Sequence, residues 1–135
     1  MFSKESQVLV VDDSMGFRAL IKTQLKDMGF KNVSEAVNGE EAMNFINSTV
    51  ELGITIDLII CDWQMPGLSG IGLLTNLKKD PKTASIPFLM VTTVSATDQV
   101  MAAIKAGVSD YVIKPFDDET LGKKLEAIWK RKFGT

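Results

Sequence analysis

The sequence predicts an α/β protein built on a parallel sheet. Five short apolar segments alternate with segments in which apolar residues recur at helical spacing, as in β–α–β units with right-handed crossovers. The 135 residues are 45% hydrophobic and 24% charged, which suits one globular domain. Five strands of this kind fit a flavodoxin-like, doubly wound sheet of order 2-1-3-4-5, in which ligands bind at the carboxyl edge.

The strands are predicted from runs rich in β-branched residues and leucine. Runs this short and continuously apolar are typical of parallel strands buried on both faces. We assign the strands to residues 8–11, 32–36, 56–61, 88–91 and 111–113.

Capping residues and glycines set the predicted helix limits. Asn38 with Glu41, and Ser95 with Asp98, have the spacing of capping boxes that open the second and fourth helices. The third helix is expected over residues 69–79 and the fifth from about residue 117. The first and fourth helices should end at glycine 29 and glycine 107, because glycine readily adopts the left-handed conformation.

Helical spacing also predicts which side chains face the core. On the first helix the inward set is Phe17, Leu20, Ile21, Leu25 and Met28. On the last helix it is Leu121, Leu125, Ile128 and Trp129.

Composition excludes several classes of protein. The formal net charge of −2 gives no general attraction to nucleic acid or to an anionic membrane. A single cysteine cannot form an intramolecular disulfide, and the apolar run at residues 8–11 is too short for a signal peptide or membrane span. We therefore expect a cytoplasmic protein that neither binds nucleic acid nor inserts into a membrane. The chain has no histidine, so imidazole chemistry would have to come from a partner.

Polar residues stand at the predicted strand ends. Asp12 and Asp13 follow the first strand, Asp62 the third, Thr92 the fourth and Lys114 the fifth. Since the first and third strands are predicted neighbours, three carboxylates should share one pocket, where like charges repel unless a cation joins them. Oxygen ligands select a hard ion, which indicates Mg²⁺, with Mn²⁺ as a substitute.

These residue types suit phosphoryl transfer. An aspartate can attack phosphorus to give an acyl phosphate, and a metal and a lysine supply the charge stabilisation that such a transfer needs. Lys114 provides a point charge and the Thr92 hydroxyl a hydrogen-bond donor. Singly, each residue has an ordinary explanation as a helix cap, turn or surface residue. Their convergence on one edge favours a site.

Four segments resemble the signatures of response-regulator receiver domains, most closely those of single-domain chemotaxis proteins of the CheY type. They are Val-Val-Asp-Asp-Ser (10–14), Asp-Trp-Gln-Met-Pro-Gly (62–67), Met-Val-Thr-Thr (90–93) and Tyr-Val-Ile-Lys-Pro-Phe (111–116). The resemblance runs from about residue 7 to residue 133. It implies one receiver domain over residues 1–135 with no output domain.

The resemblance assigns roles to individual residues. Asp62 matches the phospho-accepting aspartate, and the implied Mg²⁺ ligands are Asp12, Asp13, Asp62 and the backbone carbonyl of Gln64. Thr92 and Lys114 match the residues that bind the phosphoryl group. Tyr111 matches an aromatic residue that moves inward with Thr92 on switching. Read without the resemblance, Tyr111 is a half-buried strand aromatic whose hydroxyl reaches water.

The resemblance also implies partners. A histidine kinase would donate the phosphoryl group, and the surface from Ser95 to Phe133 would bind a flagellar motor switch protein or another protein target. We expect a monomer that catalyses only its own phosphorylation and dephosphorylation, and so is not an enzyme in the usual sense.

Three positions depart from the family pattern. Gln64 stands where asparagine is frequent, Thr93 where a smaller residue is frequent, and Val94 where chemotaxis members usually have glutamate. These side chains border the path of a water that attacks the acyl phosphate. We therefore expect Thr93 and Val94 to slow self-dephosphorylation.

Other functions stay open at this point. The chain could be a phosphorelay carrier that passes its group to a histidine phosphotransfer protein. A flavodoxin-type FMN carrier needs a hydroxyl- and glycine-rich loop where Asp12 and Asp13 stand. A phosphatase with an aspartyl nucleophile needs a general acid and a cap, and the sequence indicates neither.

Overall fold

The computed structural model describes residues 1–93 and 97–134, and within them five strands alternate with five helices, as predicted. The elements are β1 (Gln7–Val11), α1 (Met15–Asp27), β2 (Asn32–Ala36), α2 (Gly39–Glu51), β3 (Leu58–Asp62), α3 (Gly70–Lys79), β4 (Phe88–Thr92), α4 (Thr97–Ala106), β5 (Asp110–Ile113) and α5 (Asp118–Phe133). No helix in this part of the chain is both long and apolar enough to cross a membrane.

The strands form one parallel sheet in the order β2-β1-β3-β4-β5, which confirms the predicted topology. Its register determines which residues meet at the carboxyl edge. Val11 of β1 pairs with Cys61 of β3, so the next residues, Asp12 and Asp62, lie side by side. Thr92 at the end of β4 pairs with Ile113, which brings Lys114 to the same edge.

The sheet is covered on both faces, because side chains alternate along each strand. One core contains Val8, Val10, Leu58 and Ile60 together with residues of α1 and α5. The other contains Leu9, Val11, Ile59 and Cys61 together with residues of α2 and α3. Side chains of β1, β3 and β4 are buried in both directions, which explains why these strands read as unbroken apolar runs.

The predicted helix signals are mostly present. The Glu41 amide donates to Asn38 Oδ1 at 2.8 Å, and Gly29 and Gly107 follow their helices with φ of 97° and 93°. The capping pair Ser95 and Asp98 lies outside the residues whose side chains the structure describes. Strand β3 begins at Leu58 rather than at residue 56.

The prediction that Leu20 of α1 faces the core is wrong. Leu20 is 41% exposed, while the polar residue Gln24 is buried on the same helix. Its Nε2 donates to the Phe116 carbonyl at 2.9 Å, a contact between distant segments, while its Oε1 is buried without a hydrogen-bond partner among the described residues. On α5, Leu121, Leu125 and Ile128 are buried as predicted.

Candidate functional site

The structure brings the three strand-end carboxylates together. Asp12, Asp13 and Asp62 each offer a carboxylate oxygen, and these atoms lie within 4.8 Å of one another. Asp12 and Asp62 are buried, whereas Asp13 faces solvent. The cluster thus combines two desolvated charges with one that is open to the surroundings.

Lys114 supplies the positive charge beside this cluster. Its Nζ lies 3.0 Å from Asp12 Oδ2 and 3.4 Å from Asp62 Oδ2. The Lys114 side chain is mostly buried, and Nζ lies 4.2 Å from the centre of the Phe17 ring, where the face of the ring attracts a cation. The Lys114 amide donates to the Thr92 carbonyl at 2.8 Å. This hydrogen bond to β4 holds the backbone of Lys114 in place.

Asp12 is held by contacts to its side chain and to its backbone. The Ser14 amide donates to Asp12 Oδ1 at 2.8 Å. Arg18 Nη1 donates to the Asp12 carbonyl at 2.6 Å, and Arg18 Nε donates to Glu35 at 3.1 Å. Arg18 was not predictable from the sequence as part of the site, because its contact with Glu35 depends on where β2 lies beside α1.

The cap of α1 leaves the acidic pair available for other contacts. Ser14 is the N-cap, and its Oγ accepts from the Phe17 amide at 3.3 Å. The ordinary explanation of Asp12 and Asp13 as helix-capping residues therefore does not account for their position. They lie between the end of β1 and the cap.

The electrostatics of the cluster favour a cation. Burial raises the pKa of Asp62, the charge of Asp12 raises it further, and the Lys114 ammonium opposes these effects. Three carboxylates beside one ammonium leave an excess of negative charge when all are ionised. The donor set consists of oxygens, and hard divalent ions such as Mg²⁺ prefer oxygens, so these residues fit the predicted metal.

The cluster opens onto a shallow pocket of about 400 Å³. Its lining residues are Asp13, Trp63, Gln64, Met65, Pro66 and Ser69. A larger pocket of about 840 Å³ lies between α1 and the edge strand β2, and none of the three aspartates lines it. We place the site beside the smaller pocket, because Asp13 of the acidic cluster lines it.

The other predicted site residues are distributed around the same edge. Thr92 is buried at the end of β4, and Gln64 and Thr93 are exposed. Val94 lies outside the described residues. Tyr111 is half-buried on β5. It packs against the core that contains residues of α2 and α3, and Lys124 Nζ of α5 lies 5.0 Å from the centre of its ring.

A doubly wound sheet with an acidic cluster and a lysine at its carboxyl edge defines a class of protein that can bind a metal and a phosphoryl group at the ends of its strands. Residues 8–126 match the model of the response regulator receiver domain. The chain belongs to this family. A receiver domain is a phosphorylation-dependent switch of a two-component system. The family match therefore favours a switch over a flavodoxin-type FMN carrier.

Two curated relatives are chemotaxis proteins. The chain is 39% identical over 128 residues to chemotaxis protein CheY of Pseudomonas aeruginosa, covering 95% of this chain and 99% of that one. It is 36% identical over 131 residues to chemotaxis protein CheY-3 of Vibrio cholerae, covering 97% of each.

Solved structures show the same fold. The chemotaxis protein CheY4 of Vibrio cholerae superposes with a TM-score of 0.82 at 29% identity, covering 92% of this chain and 98% of the other. The signal receiver domain of a histidine kinase from Syntrophus aciditrophicus also gives 0.82, at 28% identity, covering 96% and 94%. Receivers from different kinds of signalling protein are therefore equally similar in fold.

Proposed function

We propose that Asp62 is the phospho-acceptor of this switch and that a histidine kinase is its donor. The observation that carries the proposal is the position of Lys114 Nζ, within 3.4 Å of both buried carboxylates. This arrangement supplies a nucleophile together with a fixed positive charge for the phosphoryl oxygens.

The proposed transfer is a single displacement. An Asp62 carboxylate oxygen forms a bond to phosphorus while the phosphorus–nitrogen bond of the donor phosphohistidine breaks. The released imidazole nitrogen takes up a proton from water. Lys114 and the Thr92 hydroxyl then bind oxygens of the acyl phosphate, which links the reaction to the ends of β4 and β5.

Mg²⁺ is proposed as the cofactor, held by Asp12, Asp13, Asp62 and the Gln64 backbone carbonyl. When bound, it supplies charge neutralisation for the phosphoryl oxygens and the acidic cluster. Hydrogen bonds from Ser14 and Arg18 hold Asp12 in place, which reduces the ordering that Mg²⁺ binding would require of this residue. In this proposal the chain catalyses only its own phosphorylation and dephosphorylation, and it has no external substrate.

We further propose that the output is protein binding in chemotaxis, by a flagellar motor switch protein at the surface formed by α4, β5 and α5. The two chemotaxis relatives support this assignment. Two ion pairs join β5 to α5 within this surface, since the Asp110 carboxylate contacts Lys124 at 3.2 Å and Arg131 at 2.8 Å.

A phosphorelay carrier is the second candidate. It is favoured by the similarity to the receiver domain of a histidine kinase. Incubation of the phosphorylated chain with a histidine phosphotransfer protein and, separately, with a motor switch protein distinguishes the two. Rapid loss of label to the first protein indicates a relay, and stable binding to the second indicates a motor signal.

The proposed function is tested by Trp63 fluorescence during a Mg²⁺ titration, with and without acetyl phosphate. Trp129 is the second tryptophan of the chain, so the measurement uses a Trp129→Phe background. We expect a saturable Mg²⁺ response and a further change with acetyl phosphate in that background. Asp62→Ala should abolish the second change. A signal unaffected by Mg²⁺ and acetyl phosphate would contradict the proposal.

A further inference from the structure

The first turn of α2 contacts the loop that follows β3. Glu40 Oε1 accepts a hydrogen bond from the Leu68 amide at 2.8 Å, although the two residues are 28 positions apart in the sequence. Glu40 is exposed, so core packing does not account for this contact. A carboxylate that accepts from a backbone amide makes one of the stronger kinds of hydrogen bond in proteins.

Two glycines allow the helix and the loop to come this close. Gly67 has φ of 76°, and a Cβ atom there would lie 2.6 Å from Glu40 Oε1. On the helix, a Cβ atom at Gly39 would lie 2.5 Å from the Leu68 carbonyl oxygen. Neither position accepts a side chain without a shift. The close approach therefore depends on a glycine in the loop and on a glycine in the helix.

The same loop borders the site. It begins at Trp63, whose amide donates to the Val91 carbonyl at 2.8 Å, and Gln64 lines the pocket beside Asp13. The hydrogen bond between Glu40 and Leu68 holds the loop at a second point, shortly before α3 begins. Gln64 thus lies in a short segment that is held at both ends.

We propose that Glu40 is a positioning residue that orders the loop between β3 and α3, so that the Gln64 carbonyl is held ready for Mg²⁺. This inference rests on the proposed function, because it assigns Gln64 to the metal site. Without the Glu40 carboxylate the loop samples more conformations, and binding must then order it at a cost in free energy. Glu40 need not touch the metal to raise its affinity.

The test compares three variants in the Trp129→Phe background. Glu40→Ala removes the acceptor, whereas Glu40→Gln removes the charge but keeps an oxygen that can accept from Leu68. Glu41→Ala is the matched control, since Glu41 is also an exposed acidic residue of the first turn of α2. The readouts are Mg²⁺ affinity by Trp63 fluorescence and hydrogen exchange of the Leu68 amide in metal-free protein.

We expect Glu40→Ala to weaken Mg²⁺ binding by about three- to tenfold, the range for loss of one partly exposed hydrogen bond, and to speed exchange at Leu68. Glu41→Ala should remain close to the parent in both readouts. Glu40→Gln should fall between the parent and Glu40→Ala, because a neutral amide oxygen accepts a weaker hydrogen bond than a carboxylate. Equal weakening in Glu40→Gln would assign the effect to charge and overturn the proposal. Unchanged affinity in Glu40→Ala would also overturn it.

The two proposals fail in different ways. A parent protein without any Mg²⁺ response refutes the proposed function, and the positioning role fails with it. The exchange of the Leu68 amide, measured without metal, then still shows whether Glu40 orders the loop.

Discussion

Lys114 Nζ lies 3.4 Å from Asp62 Oδ2, and this pair links the fifth strand to the third. The lysine lowers the pKa of Asp62, against the effects of burial and of Asp12. The ammonium therefore balances part of the acidic cluster in the unphosphorylated protein. Under the proposed function, the same charge binds the phosphoryl group that Asp62 accepts.

Lys114→Ala should separate metal binding from phosphorylation. Loss of a fixed donor to the phosphoryl oxygens should slow labelling by acetyl phosphate by about a hundredfold. Mg²⁺ should bind at least as tightly as before, because the ion no longer shares Asp12 and Asp62 with an ammonium. The measurements are labelling rates and Trp63 titrations, with Lys79→Ala, an exposed lysine at the end of α3, as control. Lost Mg²⁺ binding with normal labelling would contradict the assignment.

Asp62→Asn should stabilise the metal-free protein at neutral pH. Because burial raises the pKa of Asp62 above 3.8, the folded state binds this proton more tightly than the unfolded state does. The contribution of Asp62 to stability is thus greatest below pH 3.8 and is lost as pH rises through the raised pKa. Replacing the charge by an amide should raise the Tm at neutral pH by about 2–4 °C.

The check is thermal unfolding in a chelator from acid to neutral pH. The gain of the variant over wild type should shrink as pH falls toward the ordinary carboxyl range. A variant less stable than wild type at neutral pH would show that the Asp62 charge is well compensated in the fold.

The sheet and the site edge were predictable from the sequence, but the helix surfaces were less so. Strand order and register alone place Asp12, Asp62 and Lys114 at one edge of the sheet. The position of a residue at a strand end therefore follows from the topology and does not depend on its side-chain contacts. Leu20 was predicted to be buried and is exposed, because the buried face of α1 is centred on Ile21, Gln24 and Leu25. A hydrophobic pattern does not predict the burial of a glutamine, because the residue is polar. Its partner, the Phe116 carbonyl, is far along the chain.

Contacts that support the site were also beyond the sequence. Arg18 reaches both Asp12 and Glu35, and Glu40 reaches Leu68. Each joins an exposed or partly exposed charged residue to a segment far along the chain. Charged residues in the first turn of a helix have many possible partners, and only the assembled fold selects one.

The lifetime of the phosphorylated state should depend on Thr93 and Val94. Thr93 is exposed directly after β4, and we expect it and Val94 to restrict the water that attacks the acyl phosphate. Thr93→Ala and Val94→Glu should therefore speed hydrolysis severalfold, the second by orienting that water. The measurement is the decay of labelled protein after removal of acetyl phosphate. An unchanged decay rate in both variants would show that these side chains do not control it.

The central claim is that Asp62 accepts the phosphoryl group in a reaction that needs a divalent cation. The most direct measurement is the intact mass of the protein after incubation with acetyl phosphate, with Mg²⁺ or with a chelator. We predict that wild type gains one phosphoryl group only with Mg²⁺ and that Asp62→Ala gains none. Undiminished incorporation in Asp62→Ala, or equal incorporation in the chelator, would contradict the account.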